Sequence, residues 1–201
     1  MKTFYQKKYF KYKSKYNNLK NNNNNENINI IGGENNISNK PIKAIALFSN
    51  SEIKGTVRFE EIFDLNGDDY VSVIIDLEGF VPNTIHGFHV HESGDLTKGC
   101  ASMCAHFNPF NKNHGNRDDE ERHVGDLGNL EADIEGKVKL QFKDKIIKLR
   151  GDISNIIGRG LIVHEDPDDC GKGNFEDSKT TGHSGKRIAC AIIGYSSNCK
   201  S

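Results

Sequence analysis

The 201-residue sequence contains no apolar run approaching the ~18 to 20 residues of a membrane-spanning helix, and it opens without the ~7 to 15 residue apolar stretch of a secretory signal. The first 20 residues also lack arginine, which fits an organellar transit peptide poorly. These absences lead to the expectation of a soluble intracellular, cytoplasmic protein. Cysteine is scarce as well. Cys100, Cys104, Cys170, Cys190 and Cys199 are too few and too irregularly spaced for a secreted disulfide scaffold, and an odd count of five leaves at least one thiol free.

Basic charge is missing from most of the chain. Residues 1 to 40 hold 8 of the 27 Lys and Arg and only 2 of the 28 Asp and Glu, so the remainder carries 19 minus 26, a net charge of minus 7. An acidic body argues against nucleic acid as its main partner, because phosphate binding needs a basic face. No membrane partner is expected for it either. The first 40 residues, at plus 6, could alone act as a tether to nucleic acid, membrane or a particle. They also contain 12 asparagines, including the run Asn21 to Asn25. Tyr5, Tyr9, Tyr12 and Tyr16 recur among lysines at helical spacing, whereas the stretch to Lys40 has no periodicity and reads as a disordered linker. The expected organisation is an arm at 1–40, a domain at 41–195 and a polar tail at 196–201.

From Pro41 onward the signal is strand. Segments 42–48, 53–59, 70–77, 85–91, 127–134, 137–142, 161–164 and 188–193 are short and β-rich, with Asn66-Gly67-Asp68 and Glu78-Gly79 between them. Glu135-Gly136 reads as a hairpin turn. No helical segment stands out in the domain. This pattern predicts an all-β fold, an eight-stranded antiparallel Greek-key barrel or sandwich of immunoglobulin-like type. Two long polar segments, 92–125 and 165–186, exceed the ~12 to 15 residues of an ordinary loop and are expected to be functional.

Seven of the eight histidines fall between His86 and His164. Side chains alternate across a strand, so His89 and His91 share a face, the geometry of a two-imidazole metal clip. Taken alone, His-x-His reads equally well as two polar residues on a solvated face. The first long segment adds His106, His114, His123 and, three residues on, Asp126, and the strand at 161–164 ends in His164. Six histidines and one aspartate exceed the needs of one four-coordinate ion, so two adjacent metals are the economical reading.

In the blocks Gly87-Phe88-His89-Val90-His91-Glu92, His106-Phe107-Asn108-Pro109, Glu121-Arg122-His123-Val124-Gly125-Asp126-Leu127-Gly128-Asn129, Val163-His164-Glu165 and Gly185-Lys186-Arg187-Ile188-Ala189-Cys190, the sequence resembles the copper/zinc superoxide dismutases. The resemblance runs from about Lys43 to Gly194. It implies one copper per subunit on His89, His91, His106 and His164, and one zinc on His106, His114, His123 and Asp126, with His106 as bridge. It further implies Asp168 as a carboxylate bonded to His91 and His114, Arg187 as the group that attracts a small anion, and a Cys100–Cys190 disulfide. That bond closes a loop of ~90 residues, for which chain entropy gives roughly 4 to 5 kcal/mol. The implied activity is dismutation of superoxide by alternating Cu(II)/Cu(I) chemistry, with Arg187 and His106 as catalytic residues.

Other residues of the two segments read more plainly. His86 reads as a structural histidine and His183 as an exposed one. Lys179 and Thr181 line the second loop, with Thr180 in the family's usual lysine register. The resemblance also implies a homodimer built from the first and last strands, with Ile193 and Gly194 supplying apolar character. Non-catalytic relatives such as copper-chaperone domains lose copper ligands and carry an early Cys-x-x-Cys, whereas this chain keeps all four ligands and has no cysteine before Cys100. The Asn-rich leader resembles those of large DNA virus proteins, which points to a host cytoplasm or a virion.

Overall fold

In the computed structural model, residues 40–49, 51–63, 69–151 and 153–197 are described. The arm at 1–39, the Asn66-Gly67-Asp68 turn and the tail from 198, including Cys199, lie outside the described residues. The strands are β1 (Lys43–Phe48), β2 (Lys54–Ile62), β3 (Tyr70–Glu78), β4 (Ile85–His91), β5 (Thr97–Cys100), β6 (Asp126–Glu131), β7 (Lys137–Asp144), β8 (Gly160–His164) and β9 (Arg187–Tyr195). All pairings between strands are antiparallel, in the order β6-β4-β8-β9-β1-β2-β3-β7, an eight-stranded and nearly closed Greek-key barrel.

Period-two patterning produces these strands. In β3, Val71, Val73, Ile75 and Leu77 turn inward and are at most 2% exposed, while Asp76 and Glu78 face water. The same alternation buries Ala44, Ala46 and Phe48 of β1, Val57 and Phe59 of β2, and Ala189, Ala191 and Ile193 of β9 in one core. A fully buried Val, Leu, Ile or Phe side chain contributes roughly 1.5 to 3 kcal/mol relative to exposure, so the barrel interior dominates stability.

The structure amends the sequence reading in three places. Strand β5 and the one-turn helices Ala101–Met103 and Ser178–Thr181 lie inside the long segments that were expected to be loop. The turn at Glu135-Gly136 forms, with Gly136 N–H donating to Asp133 O at 3.0 Å. However, β6 and β7 occupy opposite ends of the strand order, so the expected hairpin is instead a crossing between the sheet's two edges. Ala132 N–H donates to Thr84 O beside β4, while Lys137 already pairs with Glu78 of β3. Gly136 is required there, since φ is 72° and a Cβ would lie 2.2 Å from Phe80 O. Lastly, Ile193 points into the core at 0% exposure, so the outer surface of β9 is supplied by Ile192, 41% exposed, and Gly194.

Candidate metal centre

Strand β4 is buried on both faces. Phe88 and Val90 fill the barrel, and the outward-facing His89 and His91 are 0% and 1% exposed because the two long segments fold over them. Irregular register at Gly87/His89 on β4 and at Val163/His164 on β8 re-aims both strands at the site. His164 is thereby paired with Arg187 of β9. The first long segment is tied to β4 by backbone bonds. Phe107 N–H donates to Val90 O at 2.9 Å and Val90 N–H to Gly125 O at 2.8 Å, which sets His106 beside His91 and brings Asp126 alongside His89. His114 is held from the other side, its N–H donating to Lys179 O at 2.9 Å.

Two groups of ligand atoms result. The donor atoms of His89, His91, His106 and His164 all lie within 4.8 Å of one another, as do those of His89, His106, His114 and Asp126. His123 joins the second group through Nδ1, 3.1 Å from Asp126 Oδ1, a single oxygen that also lies 3.0 Å from His106 Nδ1 and 3.0 Å from His114 Nδ1. One oxygen cannot accept three hydrogen bonds well. Bonds of ~2.0 Å in a tetrahedron put ligand atoms ~3.3 Å apart, which is close to this spacing. In the first group, His164 Nε2 and His91 Nε2 lie 3.4 Å apart.

The hydrogen bonds behind the rings determine which nitrogens are free. His89 Nε2 lies 2.7 Å from Asp168 Oδ2, His114 Nε2 2.8 Å from Asp168 Oδ1, His91 Nδ1 2.9 Å from Cys104 O and His164 Nδ1 3.2 Å from Gly185 O. Each of these oxygens accepts from an N–H, so the opposite nitrogen carries the lone pair. The buried His89 Nδ1 and His106 Nε2 have no hydrogen-bond partner, and His114 Nδ1 faces only the Asp126 Oδ1 that it shares with His106 and His123. An unsatisfied buried group costs about 1 to 3 kcal/mol, so these converging nitrogens mark lone pairs shaped for a bound cation. All-imidazole and imidazole-plus-carboxylate sets suit copper and zinc.

The Asp168 expectation needs correction in one partner, which is His89 and not His91. His89 lies two residues after Gly87, whose N–H donates to Asp166 O at 2.9 Å and brings the second loop over this part of β4. His91 is the last residue of β4, with Nδ1 on Cys104 O of the first loop. Asp168 is itself clamped by Asn129, whose Oδ1 accepts from Asp168 N–H at 2.8 Å and whose Nδ2 donates to Asp168 O at 2.9 Å. That role was missed, although Asn129 ends the Glu121–Asn129 block. No sequence pattern reports an amide gripping a residue 39 positions away.

Electrostatics separates the rings. Burial, then the His106 ring, lowers His89 to about 3, and burial lowers His164 to about 4, so both stay neutral and able to donate lone pairs. His91 and His106 are lowered chiefly by burial too. For His114, burial pulls downward but is outweighed by Asp126 and Asp168, which carry it up to about 9. Both carboxylates are held well below their usual range by the surrounding histidines, against the upward pull of burial.

Arg187 is partly exposed. Its Nη1 donates to Cys100 O at 2.8 Å and its Nη2 to Cys104 O at 2.5 Å, which fixes a cation beside His91 and His164. Cys100 and Cys190 are disulfide-bonded. A buried pair, Arg122 to Asp144 at 2.5 Å, also escaped the sequence reading, and Arg122 Nη1 donates to Asp126 O at 2.7 Å. Outside the cluster, His86 bonds through Nδ1 to His164 O at 2.8 Å. The exposed His183 pairs with Asp177 at 2.8 Å and stacks on Phe175. Lys179, Thr180 and Thr181 form the one-turn helix of the second loop.

An antiparallel barrel with two overlapping sets of buried imidazoles on its outer face, roofed by two loops and flanked by a fixed guanidinium, defines a metalloprotein of the binuclear β-barrel class. The chain belongs to the copper/zinc superoxide dismutase family, whose model, described as copper/zinc superoxide dismutase (SODC), matches residues 53–193. A Cu-Zn superoxide dismutase of Paramecium bursaria Chlorella virus 1 is 54% identical over 156 residues, covering 78% of this chain and 80% of that relative. An extracellular Cu-Zn superoxide dismutase of Drosophila melanogaster is 49% identical over 162 residues, covering 78% and 87%. The crystal structure of the clock protein EA4 matches with a TM-score of 0.72 and 41% identity, over 82% of this chain and 99% of that one.

Proposed function

We propose that His89, His91, His106 and His164 hold copper and that His106, His114, His123 and Asp126 hold zinc, one of each per subunit. The activity is superoxide dismutation, with copper and zinc as cofactors. Bound copper supplies the one-electron exchange by which two superoxide ions and two protons become oxygen and hydrogen peroxide. The observation that carries the ligand assignment is the convergence of the buried nitrogens of His89 and His106, which have no partner, and of His114, which shares one Asp126 oxygen, each turned to the centre by a fixed bond or contact on its other side.

The chain's own residues divide the work. His106 presents Nδ1 to the Asp126 group and Nε2 to the copper group, which suits it to be the shared ligand, and Nε2 is the atom at which it can hold and give up a proton. Asp168 joins the two groups by fixing His89 with one oxygen and His114 with the other. Arg187 attracts the anionic substrate, its position locked by two carbonyls. The test is elemental analysis of purified protein with a superoxide assay, for which one copper, one zinc and activity proportional to copper are expected. Active protein without copper would overturn the assignment.

The same reading extends to assembly and place. The outer surface of β1 and β9 exposes Leu47, Ile192 and Tyr195, with Leu96 of the first loop also exposed, which supports a homodimer through this face. A monomer mass in sedimentation at micromolar concentration would refute it. Residues 1–40 are proposed as a separate basic arm, 41–195 as the catalytic domain and 196–201 as a tail. The viral relative supports action in a host cytoplasm, which fractionation of expressing cells would test against secretion or packaging into particles.

A further inference from the structure

Two sulfurs of the first loop bracket a single turn. Cys100 and Cys104 flank the one-turn helix Ala101–Met103, Cys100 bonded to Cys190 on β9 and Cys104 an exposed free thiol. One guanidinium fixes both ends of this turn, since Arg187 binds Cys100 O through Nη1 and Cys104 O through Nη2. The two nitrogens of a guanidinium are fixed in one rigid fork, so the residues they hold are neighbours in space. Ser102 tightens the turn further, its Oγ donating to Gly99 O at 3.0 Å and accepting from Lys98 N–H at 3.1 Å. The Cys104 thiol folds back over the turn, 3.7 Å from Ser102 O. Cys100 and Cys190 are both only half-buried.

We infer that Cys104 is an internal exchange partner for the Cys100–Cys190 disulfide. The Cys104 sulfur, as thiolate, attacks Cys100 Sγ; the Cys100–Cys104 bond forms, the Cys100–Cys190 bond breaks, and Cys190 leaves as a thiolate that takes up a proton. The Cys104 proton goes to solvent. No electrons enter or leave the protein, so neither oxidant nor reductant is required. Exchange trades a link across 90 residues for one across a single turn, releasing the loop from β9 while the turn stays closed. The folded barrel opposes it by holding Cys190 next to Cys100, with Cα atoms 5.7 Å apart. Whatever loosens the loop favours it.

The consequence falls on the site. Cys104 O is the hydrogen-bond partner of both His91 and Arg187, so the sulfur that moves belongs to the residue that positions a ring and the anion-attracting cation. Cys104 also has φ of 62° and ψ of −150°, a conformation that favours glycine, which makes Cys104→Gly a substitution the backbone accepts. The inference does not depend on which metal each ligand set holds.

The test uses full-length, metal-loaded enzyme held without added thiol, quenched in acid, alkylated and mapped as non-reduced peptides. A subpopulation with Cys190 alkylated and Cys100 linked to Cys104 is expected. Cys104→Gly should lower alkylated Cys190 at least tenfold while leaving the Cys100–Cys190 bond and the metal content unchanged. Two outcomes would overturn the inference: Cys190 never alkylated in the native chain, or alkylated equally in Cys104→Gly, which would mean reduction from outside. Prior alkylation of Cys104 in the native enzyme should have the same effect as Cys104→Gly, and failure to do so would also count against exchange.

Discussion

A buried imidazole can offer one nitrogen to a ligand in a defined direction only when its other nitrogen is held, and four of the rings here are held by Asp168, Cys104 O and Gly185 O. His164 belongs to the all-histidine set and not to the set that contains Asp126, so its loss should be selective. His164→Ala is expected to lower dismutation by more than ~100-fold, beyond the ~10 to 100-fold typical of losing a hydrogen-bond partner, with zinc still bound at one per chain. Activity near wild type with full copper would contradict the copper set. Asp168→Ala differs because it frees one ring in each set, and both metals should bind ~10 to 100-fold more weakly under competitive chelation. Loss of zinc alone would show that Asp168 does not serve His89. At this scale the residues that gather at the site were legible, since His-x-His on a strand, the blocks around His106, His123 and His164, and His114 in the first long segment name them. Ring orientation was not. It depends on which residues of β4 each loop covers, and so Asp168 was matched to His91 when it binds His89.

Strands announce themselves when one face is buried and the other wet, as β3 is with Val71, Val73, Ile75 and Leu77 alternating against polar neighbours. Strand β5 gave no such signal because Thr97, Lys98 and Gly99 are all exposed, and its order comes from packing against β9. The two helices are a single turn each, too short for a period of 3.6 to show. The segment following β5 is seated by one apolar contact that the sequence also conceals. Met103 is 0% exposed and packs on Gly160 at the start of β8, where a Cβ would lie 2.3 Å from Met103 Sδ and 2.7 Å from Ser93 O. The thioether can shift, but the carbonyl belongs to backbone and cannot move freely. Gly160→Ala should therefore destabilise the protein by ~1 to 3 kcal/mol, as overpacking does, and raise protease sensitivity within 92–105. A denaturant midpoint equal to wild type would show that the loop yields without cost.

For the whole molecule, the histidine cluster makes stability without metal strongly dependent on pH. Unfolded histidines titrate near 6.5, whereas folded His89 and His164 titrate at about 3 and about 4. Between these values the unfolded chain binds more protons, so unfolding free energy falls as pH drops from 6.5 toward 4. His114 acts with the opposite sign: raised to about 9, it contributes stability that is full below 6.5 and lost as pH rises through 9. Denaturant midpoints of metal-free protein should decline on both sides of neutrality, more steeply in acid, and a flat acid limb would refute this. Charge at long range gives the last expectation. Residues 1–40 carry plus 6 and contribute none of the candidate ligands, which begin at His89, so truncation at Pro41 should leave the rate per copper within about twofold at moderate salt. Screening over ~10 Å confines the arm's field under those conditions, and at low salt a basic segment near the site could raise the encounter rate with an anion. Full-length and truncated enzyme compared across an ionic-strength series separate the two effects. A difference that vanishes with salt means steering by the arm, and loss of most activity at every salt concentration would mean that the domain beginning at Pro41 is not the whole catalyst.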